Sequence, residues 1–440
     1  MKSHPANIIH AVAFAGAVFF SALANAGPAI EQWIAPSGAR VYFVEIRTLP
    51  ILDVQVDFTA GGTQVSPGKA GLAGLTAGLL DAGINDADTV LSEEQISGSW
   101  VDLGAIVGTS ADQDRASVSL RTLSSSAEKE GSLALLSKIL ASPSFPPEIL
   151  EREKQRNISA IREGETRPAV IASRRFATLM YPDHPYGILP TTQSVASIER
   201  ADLVAFHRAH YAASAASVSI IGDVSRAEAE AIAQRLTSAL PAGEASNPVP
   251  QVTMPLETVE KIAHPATQSH IRVGVPALRR GDPDFFPLIV GNYTLGGGGF
   301  ASRLIQEVRD KRGLAYSVGS NFSPRKLDGP FEISLQTKRD QADAALKLVN
   351  QELAKFIASG PTPVELAAAK KNLVDGFGLR LDSNAKLMAH LSVIGYYQLP
   401  LTYLDDYQAK VQAVTIDQIK AAFAKHVPLG GLVTVIVATD

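Results

Sequence analysis

An internal repeat constrains the fold of this 440-residue chain more than any other feature of its sequence. The stretch SIERADLVAFHRAHY begins at Ser197 and AVTIDQIKAAFAKHV begins at Ala413, an offset of 216 residues that also matches His210 with His426. Both stretches run into apolar, strand-like endings, SVSIIGDV and LVTVIVATD. Earlier in each half, an alternating segment and a turn rich in Gly, Pro and Asp precede a helix-like segment. The repeat therefore predicts two copies of one unit that contains both helices and strands.

The segment between the two copies is rich in Pro, Gly, Ser and Asn and has no sustained apolar period, which is typical of a linker. We predict an N-terminal domain over 27–241, a linker over 242–258 and a homologous C-terminal domain over 259–440. Helices and strands do not alternate strictly, so a doubly wound parallel sheet is disfavoured. The predicted fold class is α+β, with two homologous mixed α/β layered domains that arose by internal duplication.

Composition excludes several classes of function. The formal net charge is −4 and the isoelectric point is about 6.2, so the chain offers no broad cationic surface for nucleic acid or an anionic membrane. The sequence contains no cysteine, which excludes disulfides, thiolate ligands and a thiol nucleophile.

The first 26 residues differ in kind from the rest. Lys2 precedes an apolar run that ends in Ala24-Asn25-Ala26, the pattern of a secretory signal peptide cleaved after Ala26. A membrane anchor is the alternative, but the strongly apolar stretch from Ala11 to Phe20 is short for a spanning helix of about 20 residues. We expect a signal peptide over 1–26 and a mature chain that is exported to the periplasm, without a membrane association after cleavage.

Two segments give the chain a resemblance to a known family. The segments YPDHPYGILPTTQSVASIERADLVAFHRAHY and GGGGFASRLIQEVRDKRGLAYSVGSNF, with the order of the predicted elements, are similar to those of the pitrilysin or insulinase family of inverted-motif zinc peptidases. The similarity is greatest to the half-size members, such as the subunits of the mitochondrial processing peptidase, and it covers nearly all of the chain after residue 26. It implies that the chain is half of a clamshell that closes with a homologous chain around a peptide.

The zinc motif of that family is absent. Family members bind zinc through His-x-x-Glu-His on a helix and a later glutamate. Alignment through GKAGLAGLTAGLL places Gly74, Ala77 and Gly78 at the His, Glu and His positions. On the later helix the outer glutamate is retained as Glu153, but Ala160 stands at the zinc-binding position seven residues on. Glycine and alanine side chains neither ligate a metal nor accept a proton, so we expect no cofactor in this chain and zinc in a partner subunit.

The C-terminal half retains a pair of polar residues that the resemblance marks as functional. The segment EVRDKRGLAYSV contains Arg309 and Tyr316, seven residues apart, the spacing of the pair with which family members hold substrate near a partner's zinc. A phenol can donate a hydrogen bond to an oxyanion, and a guanidinium can bind substrate oxygens. A surface arginine and a core tyrosine are the alternative. The intact surrounding motif favours catalytic and substrate-binding roles.

A run of four glycines, Gly296, Gly297, Gly298 and Gly299, precedes this pair. It lacks the residues of a phosphate-binding loop or a dinucleotide fingerprint. In the resembling subunits the corresponding stretch lies near the peptide, so substrate binding and a structural turn both stay open. The strand-like segment PFEISLQTK is a further candidate, since it could pair with an extended peptide at a sheet edge.

We therefore interpret the chain as the non-metal subunit of a heterodimeric zinc peptidase that acts on peptides. It supplies Arg309 and Tyr316 to a site whose zinc and general base belong to a homologous partner. The alternative is a catalytically inactive scaffold or peptide-binding protein of the same fold. The presence of the Arg309/Tyr316 pair favours the first hypothesis.

Overall fold

The computed structural model describes residues 29–244 and 246–439. The predicted signal peptide over 1–26 lies outside the described residues. Within the described ranges, no helix combines the length and the apolar character needed to cross a membrane.

The N-terminal half is built on a six-stranded sheet. The strands of this half are β1 (Glu31–Ile34), β2 (Arg40–Glu45), β3 (Ile51–Phe58), β4 (Gly83–Asp86), β5 (Thr89–Ser92), β6 (Ile106–Ala111), β7 (Ala116–Leu123) and β8 (Ser217–Gly222). The order across the sheet is β1-β2-β8-β3-β7-β6, and β4 and β5 form a separate hairpin. Strands β2 and β8 are parallel, whereas the other neighbours in the sheet are antiparallel. This mixture of directions confirms that the sheet is not a doubly wound parallel one.

Among the described residues of this half, eight α-helices follow or interrupt these strands. They are α1 (Leu72–Gly78), α2 (Glu93–Asp102), α3 (Ser126–Ala141), α4 (Pro147–Gly164), α5 (Pro168–Met180), α6 (Thr192–Ala196), α7 (Arg200–His210) and α8 (Arg226–Thr237). Several begin at a residue whose hydroxyl accepts a backbone N–H of the first turn, as Ser92 does for α2 and Ser225 for α8. The apolar faces of α1, α3, α7 and α8 share one core with the sheet.

The C-terminal half repeats this arrangement. Its strands are β9 (Thr258–Ala263), β10 (Gln268–Leu278), β11 (Ser317–Phe322), β12 (Gly329–Lys338) and β13 (Val433–Thr439). The sheet order β9-β13-β10-β12-β11 reproduces β2-β8-β3-β7-β6, including the parallel pair at one side. Strands β8 and β13 begin at residues 217 and 433, which are 216 residues apart. The predicted α+β fold with internal duplication is confirmed.

The helices of this half are α9 (Phe285–Asn292), α10 (Ala342–Ser359), α11 (Pro363–Asp375), α12 (Asn384–Tyr397), α13 (Tyr403–Ala413) and α14 (Ile416–His426). Two π-helical turns, Tyr293–Gly297 and Ile305–Asp310, lie between α9 and β11. From 241 to 257 the described residues form neither helix nor strand. The exact domain limits stay predictions.

The two halves exchange a helix. Helices α5 and α12 begin at residues 168 and 384, again 216 apart, and so are counterparts in the repeat. Helix α5 of the N-terminal half packs on β10 and β13 of the C-terminal sheet. Phe176 and Met180 of α5 form a buried cluster with Val433, Val435 and Val437 of β13.

Helix α12 of the C-terminal half packs in the same way on the N-terminal sheet, where it lies against β3 and β8. The approach is close at Gly395, where an added Cβ would stand 2.7 Å from a ring carbon of Tyr42 and 2.8 Å from Oγ of Ser217. Each half therefore covers part of the other half's sheet.

The expectation for the strand PFEISLQTK was wrong. It corresponds to β12, which pairs with β10 on one side and with β11 on the other. Its main chain is therefore not free for a peptide. Alternation in sequence reports which faces of a strand are buried, not whether its hydrogen-bonding edges are occupied. The edge strands of this sheet are β11 and β9.

Candidate functional site

Helix α1 carries the positions at which the family would place its zinc ligands and base. Gly74 and Gly78 are exposed one turn apart, and a Cβ at either position would meet no atom within 4 Å. Ala77 faces the other way, fully buried in the core of the N-terminal half at 0% exposure. Ala160 is exposed on α4. None of the four offers a donor atom, so these residues do not fit a zinc ion.

A cavity of about 780 Å³ lies beside the bare face of α1, between the two halves. It is lined by Gly62, Val65, Ala70, Gly71, Ala73, Gly74, Leu75, Ala111, Asp112, Gln113, Asp114, Arg115, Asn157, Ile188, Pro190, Arg280, Phe322, Ser323, Pro324, Arg325, Val393 and Tyr397. Gly74 of α1 and Asn157 of α4 thus border the same space. No sequence motif predicts the charged groups that complete the lining.

Asp114 is the central polar contact between the halves. Its Oδ1 accepts a hydrogen bond from the Tyr186 hydroxyl at 2.6 Å, and its Oδ2 accepts from the Tyr397 hydroxyl at 2.9 Å and from the Lys326 backbone N–H at 2.8 Å. Burial, and then the charge of Asp114, raise the pKa of Tyr186 and of Tyr397. Both phenols therefore stay protonated as donors, and Asp114 acts as a structural link with its oxygens occupied.

The second candidate site lies at the edge of the C-terminal sheet. Arg309 is in the π-helical turn Ile305–Asp310, and Tyr316 immediately precedes β11. With Gly299 and Phe300 they line one pocket of about 210 Å³. The structure thus brings together the Arg309/Tyr316 pair and one glycine of the run.

Both members of the pair are available to a ligand. Tyr316 is 78% exposed, so it is not a core tyrosine. Its backbone N–H donates to the carbonyl of Gln336 at 3.1 Å, which fixes the main chain while the hydroxyl has no partner among the described residues. The Arg309 guanidinium lies over the Phe300 ring, 5.3 Å from its centroid, and no carboxylate within the described ranges pairs with it.

The four glycines divide by environment. A Cβ at Gly296 would lie 2.5 Å from the backbone nitrogen of Ser320, and Gly297 and Gly298 are similarly crowded by α9 and the π-helical turn that follows it. Gly299 has a φ of +60°, with open space around it, and lines the pocket. Close packing therefore explains the first three, while Gly299 borders the Arg309/Tyr316 pocket.

The two candidate sites are separate within the chain. Ser317 at the start of β11 lines the pocket of Arg309 and Tyr316, while Phe322 at the other end of β11 lines the large cavity beside α1. The five residue steps between them span about 17 Å at the rise of a β-strand. Arg309 and Tyr316 therefore do not share one site with α1 of the same chain.

One group of potential metal ligands occurs among the described residues, namely Asp282, Asp284 and His426, with ligand atoms within 4.8 Å of one another. Oδ2 of Asp284 accepts from the Lys425 ammonium at 2.7 Å and lies 2.9 Å from Nε2 of His426. Hydrogen bonding from Lys425, above all, holds the pKa of Asp284 below its usual range. The Asp284 carboxylate is thus already paired with a lysine. The cluster of Asp282, Asp284 and His426 links α14 to the start of α9.

Comparison with known proteins assigns the family. A family profile described as peptidase M16 inactive domain matches residues 197–373. A crystal structure of a peptidase M16 inactive domain from Pseudomonas fluorescens aligns with a TM-score of 0.87 and 36% sequence identity, over 93% of this chain and 97% of that chain. The chain belongs to the M16 peptidase family. The resemblance to pitrilysin and insulinase is thereby confirmed.

Other M16-type relatives include proteins described both as inactive and as proteases. A non-peptidase homolog from Helicobacter pylori is 26% identical over 417 residues, which cover 93% of this chain and 94% of that protein. An uncharacterized zinc protease from Streptomyces coelicolor is 30% identical over 258 residues, 56% of this chain and 55% of that protein. The chain thus matches about half the length of the Streptomyces protein. With no metal ligand at positions 74, 78 and 160 and no base at position 77, this chain is an inactive M16 member.

Proposed function

We propose that this chain is the non-metal subunit of a two-chain M16 peptidase, in which Arg309 and Tyr316 act on a peptide held at the zinc of a homologous partner. The observation that carries the proposal is the pocket that unites Gly299, Arg309 and Tyr316. Tyr316 has an exposed hydroxyl, and the Arg309 guanidinium pairs with no carboxylate among the described residues. Both can donate hydrogen bonds to the carbonyl oxygens of a peptide.

The chemistry follows from the two side chains. Arg309 binds carbonyl oxygens of the peptide and positions it, while Tyr316 donates a hydrogen bond to the oxyanion that develops as water attacks the scissile carbonyl. The zinc in the partner supplies activation of that water. The free edge of β11, which begins next to Tyr316, offers main-chain groups to an extended peptide.

The zinc in this assembly belongs to a second chain for a geometric reason. The positions on α1 and α4 have no ligand atoms, and about 17 Å of β11 separates the Arg309/Tyr316 pocket from the cavity beside α1. We further propose that the assembly acts in the periplasm after the signal peptide over 1–26 is removed. N-terminal sequencing of the exported protein tests this location, with Gly27 expected as the first residue.

The test is reconstitution with a homologous chain that has an intact His-x-x-Glu-His motif, followed by turnover of a fluorogenic peptide. Tyr316→Phe removes one hydroxyl with little change in shape and should lower turnover by about 10²–10³. Arg309→Ala should weaken apparent peptide binding as well as turnover. Tyr403→Phe is the matched control, since Tyr403 lies on α13 and does not line the pocket.

Mass measurement of the complex separates this proposal from its alternative. All variants should still assemble, because Tyr316 is exposed and Arg309 belongs to no buried cluster. If the complex forms and both variants turn over peptide as fast as the parent, the chain is a scaffold or peptide-binding protein of the M16 fold.

A further inference from the structure

A second, smaller cavity between the two halves is lined by positive charge. Its volume is about 280 Å³, and it shares Arg280 and Tyr397 with the large cavity beside α1. Three cationic side chains line it: Arg40 at the start of β2, Arg280 just after β10, and Lys326 between β11 and β12. No acidic side chain of the described residues lines it.

The side chains of these cations have unmet bonding capacity among the described residues. Neither arginine nor Lys326 forms an ion pair with a carboxylate in the part of the chain that the structure describes. The Nε atoms of Arg40 and Arg280 are buried and have no hydrogen-bond acceptor. Because a buried donor without an acceptor is unfavourable, these two N–H groups point to a missing acceptor.

Two acidic side chains near the cavity, Asp114 and Asp57, have partners of their own. Asp114 accepts hydrogen bonds from two tyrosines and from the Lys326 backbone, as described above. The Asp57 carboxylate lies 3.3 Å from the Arg115 guanidinium and also accepts from the hydroxyl of Ser117. Hydrogen bonds from neutral donors do not remove the charge of the Asp114 carboxylate, but one carboxylate does not balance three cationic side chains, so the cavity keeps a net positive charge.

The arginine that the two cavities share, Arg280, is held in place. The Arg280 guanidinium lies over the Tyr397 ring at 5.4 Å from its centroid, and the Arg280 backbone N–H donates to the carbonyl of Arg325 at 2.7 Å. Stacking on an aromatic face restrains the planar guanidinium while leaving its edge free for an oxyanion. Such preorganisation lowers the entropic cost of binding an anion.

We propose that this cavity binds a small multivalent anion, a phosphate group or a polycarboxylate, that bridges the two halves of the chain. At about 30 Å³ for each water molecule, the volume corresponds to roughly nine waters. That space suits a small organic anion and excludes a macromolecule. Arginine forms charge-assisted, bidentate hydrogen bonds with phosphate and carboxylate alike. The proposal does not depend on the peptidase role.

The test is isothermal titration of the full mature chain with inorganic phosphate and, separately, with citrate, at constant ionic strength set with sodium chloride. Saturable binding of one or both is expected for the parent. Arg280→Gln should weaken it by about tenfold or more, as expected for loss of a charge-assisted hydrogen bond. Lys326→Gln should weaken it severalfold with little risk to folding, because Lys326 is exposed.

Arg208→Gln is the matched control, since Arg208 is exposed on α7 and its replacement removes the same charge. It should bind as the parent does. The tighter of the two probes then identifies the phosphate or the carboxylate class of ligand. The proposal is overturned if the parent binds neither probe saturably, or if Arg280→Gln and Lys326→Gln both bind as tightly as the Arg208→Gln control.

Discussion

The side chains at positions 74, 77 and 78 of helix α1 carry no atom that can bind a metal or accept a proton. The methyl group of Ala77 packs in the N-terminal core, whereas the exposed neighbours Gly74, which borders the cavity, and Gly78 have only hydrogen as a side chain. We predict that the purified chain alone binds no stoichiometric zinc and cleaves no peptide, because each missing ligand removes a necessary bond. Elemental analysis after mild chelation checks this, and one zinc per chain would contradict it.

The two classes of glycine should respond oppositely to alanine. Gly74 lies within α1 with open space around it, so Gly74→Ala should raise the free energy of unfolding by about 0.5–1 kcal/mol through helix propensity. Gly296→Ala should lower it, because the new Cβ would stand 2.5 Å from the Ser320 nitrogen. Urea denaturation of both variants measures the difference. A destabilised Gly74→Ala variant would show that a side chain at position 74 is unfavourable despite the open space around it.

Acidification should destabilise the fold through His207. Burial lowers the pKa of His207, whose Nε2 lies 2.9 Å from the Leu140 carbonyl oxygen, below the value of 6.5 that applies to an exposed histidine. The unfolded chain therefore takes up a proton at a higher pH than the folded chain does. This contribution to stability is complete above pH 6.5 and is lost as the pH falls from there toward the folded-state pKa.

Urea unfolding at pH 7.5 and at pH 5.5 measures the loss of unfolding free energy. Both pH values lie above the range in which most carboxylates titrate. His207→Gln, which keeps a donor near the Leu140 carbonyl, should show a smaller loss than the parent. An equal loss in both proteins would place the pH dependence on other groups.

At the scale of secondary-structure elements, the zinc-site helix is retained without its function. We predict that Gly74→His, Ala77→Glu and Gly78→His together will not restore peptidase activity. Ala160 still leaves one ligand absent, and a glutamate at position 77 would place a carboxylate at a fully buried position. Adding Ala160→Glu supplies the third ligand but leaves this burial cost, and a zinc site also needs hydrogen bonds that orient its ligands.

Peptide turnover, zinc content and urea stability of both repair variants decide this prediction. The double variant Gly74→His, Gly78→His is the control for fold, since both positions have room for a side chain. Full activity of the triple variant would mean that the third ligand lies elsewhere than position 160.

The sequence repeat predicted the helices and strands better than it predicted the order of the strands within each sheet. Matching endings at an offset of 216 residues led to the duplicated sheets, and the spacing of Arg309 and Tyr316 led to two residues that line one pocket. The edge position of β11 and the interior position of β12 could not be predicted, because strand order depends on pairing between distant segments. Likewise, no local pattern joins Arg40, Arg280 and Lys326, which meet only after the halves pack together.

At the scale of the whole molecule, the exchanged helices make the two halves depend on one another. We predict that 27–241 and 259–440, expressed separately, will each lack a cooperative unfolding transition. Alone, each would expose the apolar surface that the other half's helix covers, such as Val433, Val435 and Val437 beneath α5. Co-expression should restore one particle with a single transition.

Circular dichroism melts and size-exclusion chromatography test this dependence. A chain cut once within 242–258 serves as the control, since it retains both exchanged helices and should stay associated and folded. Cooperative unfolding of either half by itself would show that its sheet needs no cover from the other.

Because α5 and α12 are each packed on the opposite sheet, we expect the two halves of the chain to move together. Rotating one half against the other would strip both helices from their sheets at the same moment, and the buried contacts of Asp114 would break with them. We therefore expect such a subunit to move as one rigid body. In the proposed two-chain peptidase, opening and closing around a peptide would then occur at the seam between subunits, and the size of the largest peptide admitted would depend on how far the two chains separate.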